Sequence, residues 1–485
     1  MLLLGLASCE LTPSLDDYEP LYSLPAETAI TGEPTAELAL TGIYSGFRQL
    51  SSGTGNPEIY IVPDLMSGYT QGSFYNSTNP EVIGWINNDP LLVGASNQTG
   101  IYTRMYDIVN RSNWLIASLE KLSDNDFETP GRRNEIIAEA KTLRAVGHFY
   151  LLRLFGQFYD ADSEYGIDIR LTPAGNADAQ PRKSVADSYK AIFDDLDAGI
   201  ADGPEPRGTM YVNKYFAKGL KAKALLYKGD YAAAASLANE LISDGMFSLA
   251  PDYAEQFQPH TSTALFDNPE ILFGSSGDSD AGLGIGNFYS GFFGAISQNY
   301  IDAVSDSISI DGQTILFDGG RATSVLNVNN SYGGYWTSKY TSYFSDGTYE
   351  MIYHLRLAEV YLILAEASAR AGSSVTTEAL NALNDLRIAR GATAGGDGYV
   401  TYPESIGYEQ FLTAVRMEKA AELMAETGET WYDLVRYDYA DGFGTGFQVS
   451  DVKPSATNPD KFIFPIPFES LEAGGYVLEQ NPSYE

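Results

Sequence analysis

Three glutamates recur four residues apart toward the C-terminus, at Glu418, Glu422 and Glu426. This spacing stacks them on one face of a helix that begins near Phe411, and neighbouring carboxylates could support acid–base or hydrolytic chemistry. With 64 Asp and Glu in the chain, however, a close pair of acids identifies no hydrolase. Two interpretations of the row stay open: a solvated acidic face, or an ion-pair hub that holds several helices together.

A hub needs cations from other helices, because like charges at this spacing repel by roughly a few tenths of a kcal/mol per pair. Arginines interrupt helices that are otherwise apolar, and buried arginine is rare unless it is paired. Gly428 is predicted to cap the C-terminus of the acidic helix, and a short second helix follows it. We expect the row to be a cross-helix brace whose candidate cations are Arg144, Arg153, Arg356, Arg387 and Arg436.

Common catalytic signatures are absent from the sequence. It contains no Gly-rich phosphate loop with Lys and Ser/Thr, no His-Glu-x-x-His and no Gly-x-Ser-x-Gly. The closely spaced glycines at 282–286 lack a strand-to-helix context and indicate a flexible loop. His148, His260 and His354 are far apart in the sequence, and the first and last lie in apolar helices. We therefore expect no enzyme, no metal site and no cofactor.

Charge excludes further classes of protein. The net charge is −34 over 485 residues. Phosphate contacts need clustered Lys and Arg, so nucleic-acid binding and docking on anionic lipid are both disfavoured. The 34 Tyr and 47 Gly suit a loop-rich surface that meets polar ligands with aromatic faces.

Cys9 is the only cysteine, which excludes an intrachain disulfide. It follows a short apolar run that ends Leu6-Ala7-Ser8, and this text resembles a bacterial lipoprotein signal. The resemblance implies cleavage before Cys9 and acylation of its thiol. Residues 1–8 are then a signal peptide, and the proline-containing residues 9–34 are an extended leader.

Helical periodicity predicts the secondary structure of much of the remaining chain. The helices are expected at about 35–50, 101–122, 132–158, 185–201, 212–227, 231–243, 350–371 and 376–389, with the acidic helix after them. Ser184 is expected to cap the fourth. The text ALLYKGDYAAAASLANELI at 224–242 resembles the inner part of a tetratricopeptide repeat, and a looser instance covers 358–383. These elements form one predicted domain, residues 35–485, with its helical scaffold at about 35–50, 101–244 and 350–437.

Two zones between the helices, about 51–98 and 247–349, are rich in Gly, Ser, Asn and aromatic residues. Long loops inside a compact protein are usually functional, and the aromatic residues argue against disorder. Short strands are predicted only at 271–274 and 462–466.

Four pieces of sequence together resemble the SusD/RagB family of outer-membrane nutrient-binding lipoproteins. They are the start at Leu6–Cys9, the helix at 138–155, the text at 353–391 and the stretch at 411–437. The last resembles the family pattern through Arg416, Glu418, Glu422, Leu423, Gly428, Trp431, Asp433, Leu434 and Arg436. It departs from the pattern at Lys419 and Thr430, where arginine is usual, and at Glu426-Thr427, which stand where the pattern has Glu directly before Gly.

The resemblance implies a mainly α, SusD-like fold with tetratricopeptide-type helix pairs and a loop-rich ligand subdomain. It implies a surface lipoprotein of the outer membrane that captures an oligosaccharide without chemistry. Its partner would be a SusC-like TonB-dependent transporter. The alternative is a tetratricopeptide-like adaptor that binds a protein or peptide. A glycoside hydrolase is the third and weaker interpretation.

A glycan site needs aromatic faces for the C–H patches of sugar rings, and amides or carboxylates for the hydroxyls. The two zones supply both kinds of group. In the first we select Tyr69, Phe74, Tyr75 and Trp85, with Asn76 and Asn79 as hydroxyl partners. In the second we select Tyr289, Phe292, Phe293, Tyr332, Tyr335 and Trp336. Trp85, Tyr289 and Trp336 are the strongest candidates, whereas Trp114 and Trp431 are assigned to the core.

Overall fold

The structure is a computed structural model of the chain. It describes residues 29–51, 58–72, 78–175, 179–257, 268–276, 284–289, 294–328, 333–340, 351–443 and 446–484.

Helices dominate the first half of the described chain, as the sequence predicts. They are α1 (Glu33–Ser51), α2 (Glu58–Ser67), α3 (Pro80–Ile86), α4 (Ser96–Leu119), α5 (Arg132–Phe155), α6 (Val185–Asp202), α7 (Lys214–Lys228) and α8 (Tyr231–Asp244). One short strand, β1 (Thr70–Gly72), lies between α2 and α3.

The second half mixes short strands with helices before it returns to long helices. Its strands are β2 (Ile271–Ser276), β3 (Gly294–Ile296), β4 (Ser307–Ile310), β5 (Gln313–Leu316), β6 (Leu326–Val328), β7 (Tyr335–Thr337) and β8 (Met351–Arg356). Its helices are α9 (Gly284–Asn287), α10 (Gln298–Val304), α11 (Arg321–Ser324), α12 (Leu357–Gly372), α13 (Thr377–Ala389), α14 (Tyr408–Leu423), α15 (Glu429–Ala440), α16 (Val449–Val452) and α17 (Phe468–Ala473).

The long helices form one continuous layered scaffold. Each packs on the next in the order α4, α5, α6, α7, α8, α12 and α13, so the two predicted helix pairs meet where α8 contacts α12. Gly229 ends α7 with φ of 86°, which allows the tight turn into α8. Alanines at this junction, including Ala234, Ala238 and Ala365, are fully buried and let the helices approach closely. A mainly α fold with stacked helix pairs is thereby confirmed.

Local signals placed several helix starts correctly. The Ser184 side chain accepts a hydrogen bond from the backbone N–H of Asp187 and so caps α6 as predicted. Asn213 and Thr376 cap α7 and α13 in the same way.

The predictions differ from the structure in several places. The zone at 247–349, where the sequence predicts one strand at 271–274, also holds β3 to β7. Residues 351–356 form the strand β8 instead of the start of a helix. Every residue of β8 and of its antiparallel partner β2 is buried, so neither shows the alternation that would identify a strand. Residues 462–466 form no strand, although Phe464 donates its N–H to the carbonyl of Leu154. The zone at 51–98, predicted as loop, holds α2, β1 and α3.

The acidic helix ends earlier than predicted. α14 stops at Leu423, and Gly428 is the residue that precedes α15. Gly428 has φ of 74°, and a Cβ at this position would come within 2.4 Å of the Pro63 Cβ on α2. Position 428 therefore requires glycine for two reasons: its φ is positive, and Pro63 leaves no room for a side chain. Gly428 does not cap α14.

Candidate functional site

A four-stranded sheet in the order β1-β3-β7-β6 carries the best-placed aromatic residue of the predicted set. Gln71 pairs with Ala295 across β1 and β3, and Asn327 pairs with Trp336 across β6 and β7. Tyr335 pairs with Ile296, which sets Trp336 beside Ala295. Directly opposed residues share a face of a sheet, so Gln71, Ala295, Trp336 and Asn327 form one row on the same face.

This row presents one indole ring between two amides. Trp336 is half-buried, while Gln71 and Asn327 at the two ends of the row are exposed. The alternate row, on the other face, includes Thr70, at 3% exposure, and Ile296, which is fully buried. Ala295 in the first row is 1% exposed, and Val328 at the edge of the second row is 63% exposed. The second row therefore faces the core at β1 and β3, while the first row presents the Trp336 indole with an exposed amide at each end. We call the first row the indole–amide row.

Gly334 shapes the same face. Its φ is 73°, and a Cβ built there would lie 2.9 Å from the Gln71 Nε2 and 2.8 Å from the Ile296 carbonyl oxygen. The Gln71 side chain thus crosses over Ala295 toward β7, and only glycine leaves it room. The amide is held close to the strand that carries Trp336.

Tyr335 takes the opposite orientation, as strand alternation requires. It is half-buried, and its hydroxyl donates to the Gln298 Oε1 at 3.0 Å. Tyr335 therefore lies outside the indole–amide row, and it braces β7 against the start of α10.

Hydrogen bonds attach this sheet to the helical scaffold. The Ser297 N–H donates to the Tyr69 carbonyl at 2.9 Å, and the Ser297 hydroxyl donates to the Gly68 carbonyl at 2.8 Å. The Asp64 carboxylate on α2 accepts a hydrogen bond from the Tyr289 hydroxyl and one from the Thr430 hydroxyl, both at 2.7 Å. Burial raises the pKa of Asp64 to about 6, although both hydrogen bonds act in the opposite direction.

Three predicted ligand residues lie in the core, which corrects the sequence prediction for them. Trp85 is 1% exposed and stacks on Phe464, with ring centroids 6.4 Å apart. Tyr69 is 4% exposed and packs edge-on against Tyr300, and Tyr289 is fully buried at its hydrogen bond to Asp64. Protein covers the ring faces that a sugar would need. The prediction for Trp85 is wrong because part of the zone predicted as loop forms the helix α3, and Trp85 lies on the buried side of that helix.

Asn79 has a structural role. Its side chain accepts a hydrogen bond from the Glu81 N–H at 3.0 Å and caps α3. Trp431, predicted as core, is 1% exposed, and Trp114 is half-buried on α4. Six further predicted residues lie outside the described residues: Cys9, Phe74, Tyr75, Asn76, Phe292 and Tyr332. Phe293 and His260 also lie outside them.

The acidic row is an ion-pair hub, and it is not solvated. Glu418 and Glu422 are fully buried, and Glu426 is 3% exposed. Within the described part of the chain, the connected cluster contains five carboxylates and five cations, so its formal charges cancel. They are Glu270, Asp318, Glu418, Glu422 and Glu426, with Arg321, Lys339, Arg356, Arg387 and Arg390. We call this cluster the brace.

Glu422 lies at the centre of the brace. It accepts from Arg356 at 2.9 Å, from Arg321 at 3.1 Å, and from two nitrogens of Arg390 at 2.9 and 3.1 Å. Burial alone would raise the pKa of Glu422, but these three guanidinium groups outweigh it and hold the pKa well below its ordinary value.

The brace also anchors the strand that carries Trp336. Lys339, three residues further along the chain, donates to the Glu426 carboxylate at 2.8 Å and to the carbonyls of Met424 and Glu422 at 2.9 and 3.1 Å. The position of the indole–amide row thus depends on the same cluster that joins α13, α14 and β8.

Two of the five predicted cations belong to the brace, namely Arg356 and Arg387. The other three pair elsewhere: Arg144 with Asp195, Arg153 with Glu429, and Arg436 with Glu366 and Asp433. Sequence reasoning missed Arg321, Lys339 and Arg390. Arg321 and Lys339 lie in the irregular zone, where no periodicity indicates a buried position. Arg390 follows α13 and lies three residues after Arg387, so it could have been selected as a cation of the brace.

Gln71 and Asn327 were also missed as candidate ligand residues. Both lie on strands of three residues, which are too short for an alternation pattern. No helix among the described residues is long and apolar enough to cross a bilayer.

Comparisons with known proteins agree with this architecture. A family model described as "SusD family" matches residues 294–484, and one described as "Starch-binding associating with outer membrane" matches residues 69–214. SusD-like protein P2 of Formosa agariphila is 23% identical over 428 residues, which cover 80% of each chain.

Solved structures share the fold at low identity. A SusD homolog from Bacteroides thetaiotaomicron superposes with a TM-score of 0.73 at 20% identity, over 94% of this chain and 98% of that one. A laminarin-binding SusD-like protein gives a TM-score of 0.71 at 18% identity, over 94% of this chain and all of that one.

Proposed function

Because the chain belongs to the SusD/RagB family, we propose that it binds an oligosaccharide at the cell surface and delivers it, uncleaved, to a TonB-dependent outer-membrane transporter of the SusC type. The indole–amide row on the four-stranded sheet is the proposed contact surface. Cys9 is the proposed site of lipid attachment, which would hold the protein at the outer membrane.

The observation that carries this proposal is the placement of Trp336. A pyranose ring has an apolar C–H face and an edge of hydroxyl groups. The Trp336 indole offers a flat apolar surface for the first, while Asn327 and Gln71 offer amide donors and acceptors for the second. An open sheet face suits an extended chain of sugars, because neighbouring units can extend beyond the indole.

Two further observations support the proposal. The related structure of a laminarin-binding protein has the same fold. The brace fixes the site-bearing strand through Lys339, so the row is pre-organised for a ligand that it holds without chemistry. Phe74, Tyr75, Asn76, Phe292 and Tyr332 remain candidates for further contacts.

Affinity electrophoresis tests the proposed function. The purified protein is run through gels that contain laminarin, starch, xylan or pectin, and the same polysaccharides are incubated with it and assayed for new reducing ends. We expect retardation in at least one gel and no release of reducing ends. Release of reducing ends would assign a hydrolase. Absence of retardation, with a stable protein partner in pull-down, would assign the adaptor function instead.

A further inference from the structure

A second buried ion-pair cluster surrounds Glu366 on α12. Glu366 is fully buried and accepts hydrogen bonds from the Arg370 Nε at 2.9 Å, from the Lys419 Nζ at 2.7 Å, and from two nitrogens of Arg436 at 2.9 and 3.0 Å. Asp433 also pairs with Lys419 and Arg436. Among the residues that the structure describes, three cations thus share two carboxylates, which leaves one positive charge in excess. We call this group the Glu366 cluster.

Arg370 carries the unused hydrogen-bond donors of the Glu366 cluster. Its Nε donates to Glu366, whereas its two terminal nitrogens, Nη1 and Nη2, donate to no residue that the structure describes. The side chain is only 7% exposed, but these terminal nitrogens are not sealed from solvent. A ligand can therefore reach the outer edge of the guanidinium while protein covers the rest of the side chain. We call Nη1 and Nη2 the Arg370 fork.

Two tyrosine rings hold the guanidinium of Arg370 in place. The Arg370 Cζ lies 4.5 Å from the ring centroid of Tyr437 and 5.7 Å from that of Tyr231. Tyr437 is 4% exposed, and its hydroxyl donates to the Leu412 carbonyl at 3.2 Å. Tyr231 is half-buried and also lines a cavity of about 130 Å³ together with Arg436. The Arg370 fork is therefore fixed in position, and the Tyr231 side chain next to it is open to solvent.

A carboxylate is the ligand group that this arrangement fits. A guanidinium stays protonated and presents two parallel N–H groups that match the two oxygens of a planar carboxylate. One bound carboxylate also cancels the single excess charge of the Glu366 cluster, whereas a phosphate dianion would reverse it. Because an uncompensated charge in a largely buried group is unfavourable, this cancellation favours binding.

We propose that the Arg370 fork binds the carboxylate of an acidic sugar, namely a hexuronate. The carboxylate accepts hydrogen bonds from Nη1 and Nη2, and the C–H face of the sugar ring packs on the open part of Tyr231. This apolar contact favours a sugar acid over a simple carboxylate such as acetate. The choice of a sugar rests on the proposed function, but the site is independent of the indole–amide row, which contributes no residue to it.

The test uses the full chain with Trp336→Ala, which removes the aromatic centre of the sheet site. Saturation-transfer NMR is recorded with glucuronate and, as its neutral counterpart, with glucose. We expect strong transfer to glucuronate, weaker transfer to glucose, and displacement of glucuronate by an excess of acetate. Arg370→Gln should weaken glucuronate binding roughly ten-fold or more, because hydrogen bonds to a charged group are lost. Arg104→Gln, which removes the same charge at an exposed position on α4, should leave the binding unchanged.

The Arg370→Gln protein should fold, because Glu366 and Asp433 then share two cations and the Glu366 cluster becomes neutral. Circular dichroism checks the fold. If this variant unfolds, Arg370→Lys takes its place, since lysine keeps the charge but lacks the fork, and it should weaken glucuronate binding likewise.

Three results would overturn the hexuronate site: equal transfer to glucuronate and glucose, glucuronate that acetate does not displace, or equal glucuronate affinity in the Arg370 and Arg104 variants. Absence of transfer to glucuronate in the Trp336→Ala protein would overturn it too. The proposed function is scored separately, by retardation of the Arg370→Gln protein with Trp336 intact in a gel that contains neutral laminarin or starch. Failure of one proposal therefore leaves the other measurable.

Discussion

Replacement of Glu422 by glutamine removes one charge from the centre of the brace and leaves the side-chain shape unchanged. Glu422 is fully buried and accepts four hydrogen bonds from three arginines. The amide nitrogen of glutamine would face N–H groups, and the cluster would carry an uncompensated positive charge. Loss of one partner from a buried ion pair costs about 3–5 kcal/mol, and we expect Glu422→Gln to fall in that range.

Two further variants make the test quantitative. Glu418 is equally buried but accepts from two arginines, Arg321 at 2.9 Å and Arg387 at 2.7 Å, so Glu418→Gln should cost less than Glu422→Gln. Glu409 lies on the same helix and is exposed, so Glu409→Gln should change stability by no more than about 0.5 kcal/mol.

Urea unfolding, followed by tryptophan fluorescence, measures all three free energies, provided that the slopes of the transitions agree. The folded Glu422→Gln protein should keep the polysaccharide affinity of the wild type, because Lys339 holds the strand of Trp336 through the Glu426 carboxylate and two backbone carbonyls, which this substitution leaves in place. A cost for Glu422→Gln that is no larger than that for Glu409→Gln would refute the brace. Lost affinity with unchanged stability would make the acidic row a ligand site.

The remaining predictions concern the sheet and the effect of pH. Gly334→Ala should destabilise the protein more than Gly333→Ala, and it should weaken polysaccharide binding in gels. Both glycines have a positive φ, which costs about 1–2 kcal/mol for alanine, but of the two only a Cβ at position 334 would contact neighbouring atoms. Equal effects would contradict the account of Gly334. Because the pKa of Glu422 is held low in the folded protein, ionised Glu422 stabilises the fold fully above about pH 4.5, and this stabilisation is lost as the pH falls further. Urea midpoints that do not drop in acid would contradict a lowered pKa of Glu422. Asp64 acts in the opposite direction, because its raised pKa favours the folded state when the group is protonated. The unfolding free energy of the wild type minus that of Asp64→Asn should therefore fall by about 2 kcal/mol between pH 4 and pH 7, and a flat difference would show that Asp64 has an ordinary pKa.

The helical scaffold could be predicted from the sequence because its signals are local. The turn at Gly229 and the cap at Ser184 act over a few residues, and both are where the sequence places them. The strand β8 escaped prediction because burial on both faces removes the alternation that distinguishes a strand from a buried helix.

The candidate site was harder to predict, because burial depends on contacts distant in the chain. Trp85 and Trp336 both lie in aromatic-rich stretches, but Trp85 is buried against residues distant in the chain, among them Phe464, which lies 379 positions further on. Asn327 became a candidate only through the register that sets it opposite Trp336. Composition can indicate that a zone binds polar ligands, but three-dimensional pairing decides which rings are accessible.

The central claim, that Trp336 forms the aromatic platform of a glycan site, is tested most directly by the affinity of one variant. Titration calorimetry is performed with the polysaccharide that retards the wild type most, and Trp336→Ala is compared with Trp114→Ala, a half-buried tryptophan on α4. Loss of a central aromatic contact costs about 2 kcal/mol or more, so we expect Trp336→Ala to weaken binding by roughly thirty-fold or more and Trp114→Ala to leave it unchanged. Wild-type affinity in a folded Trp336→Ala protein would contradict the account.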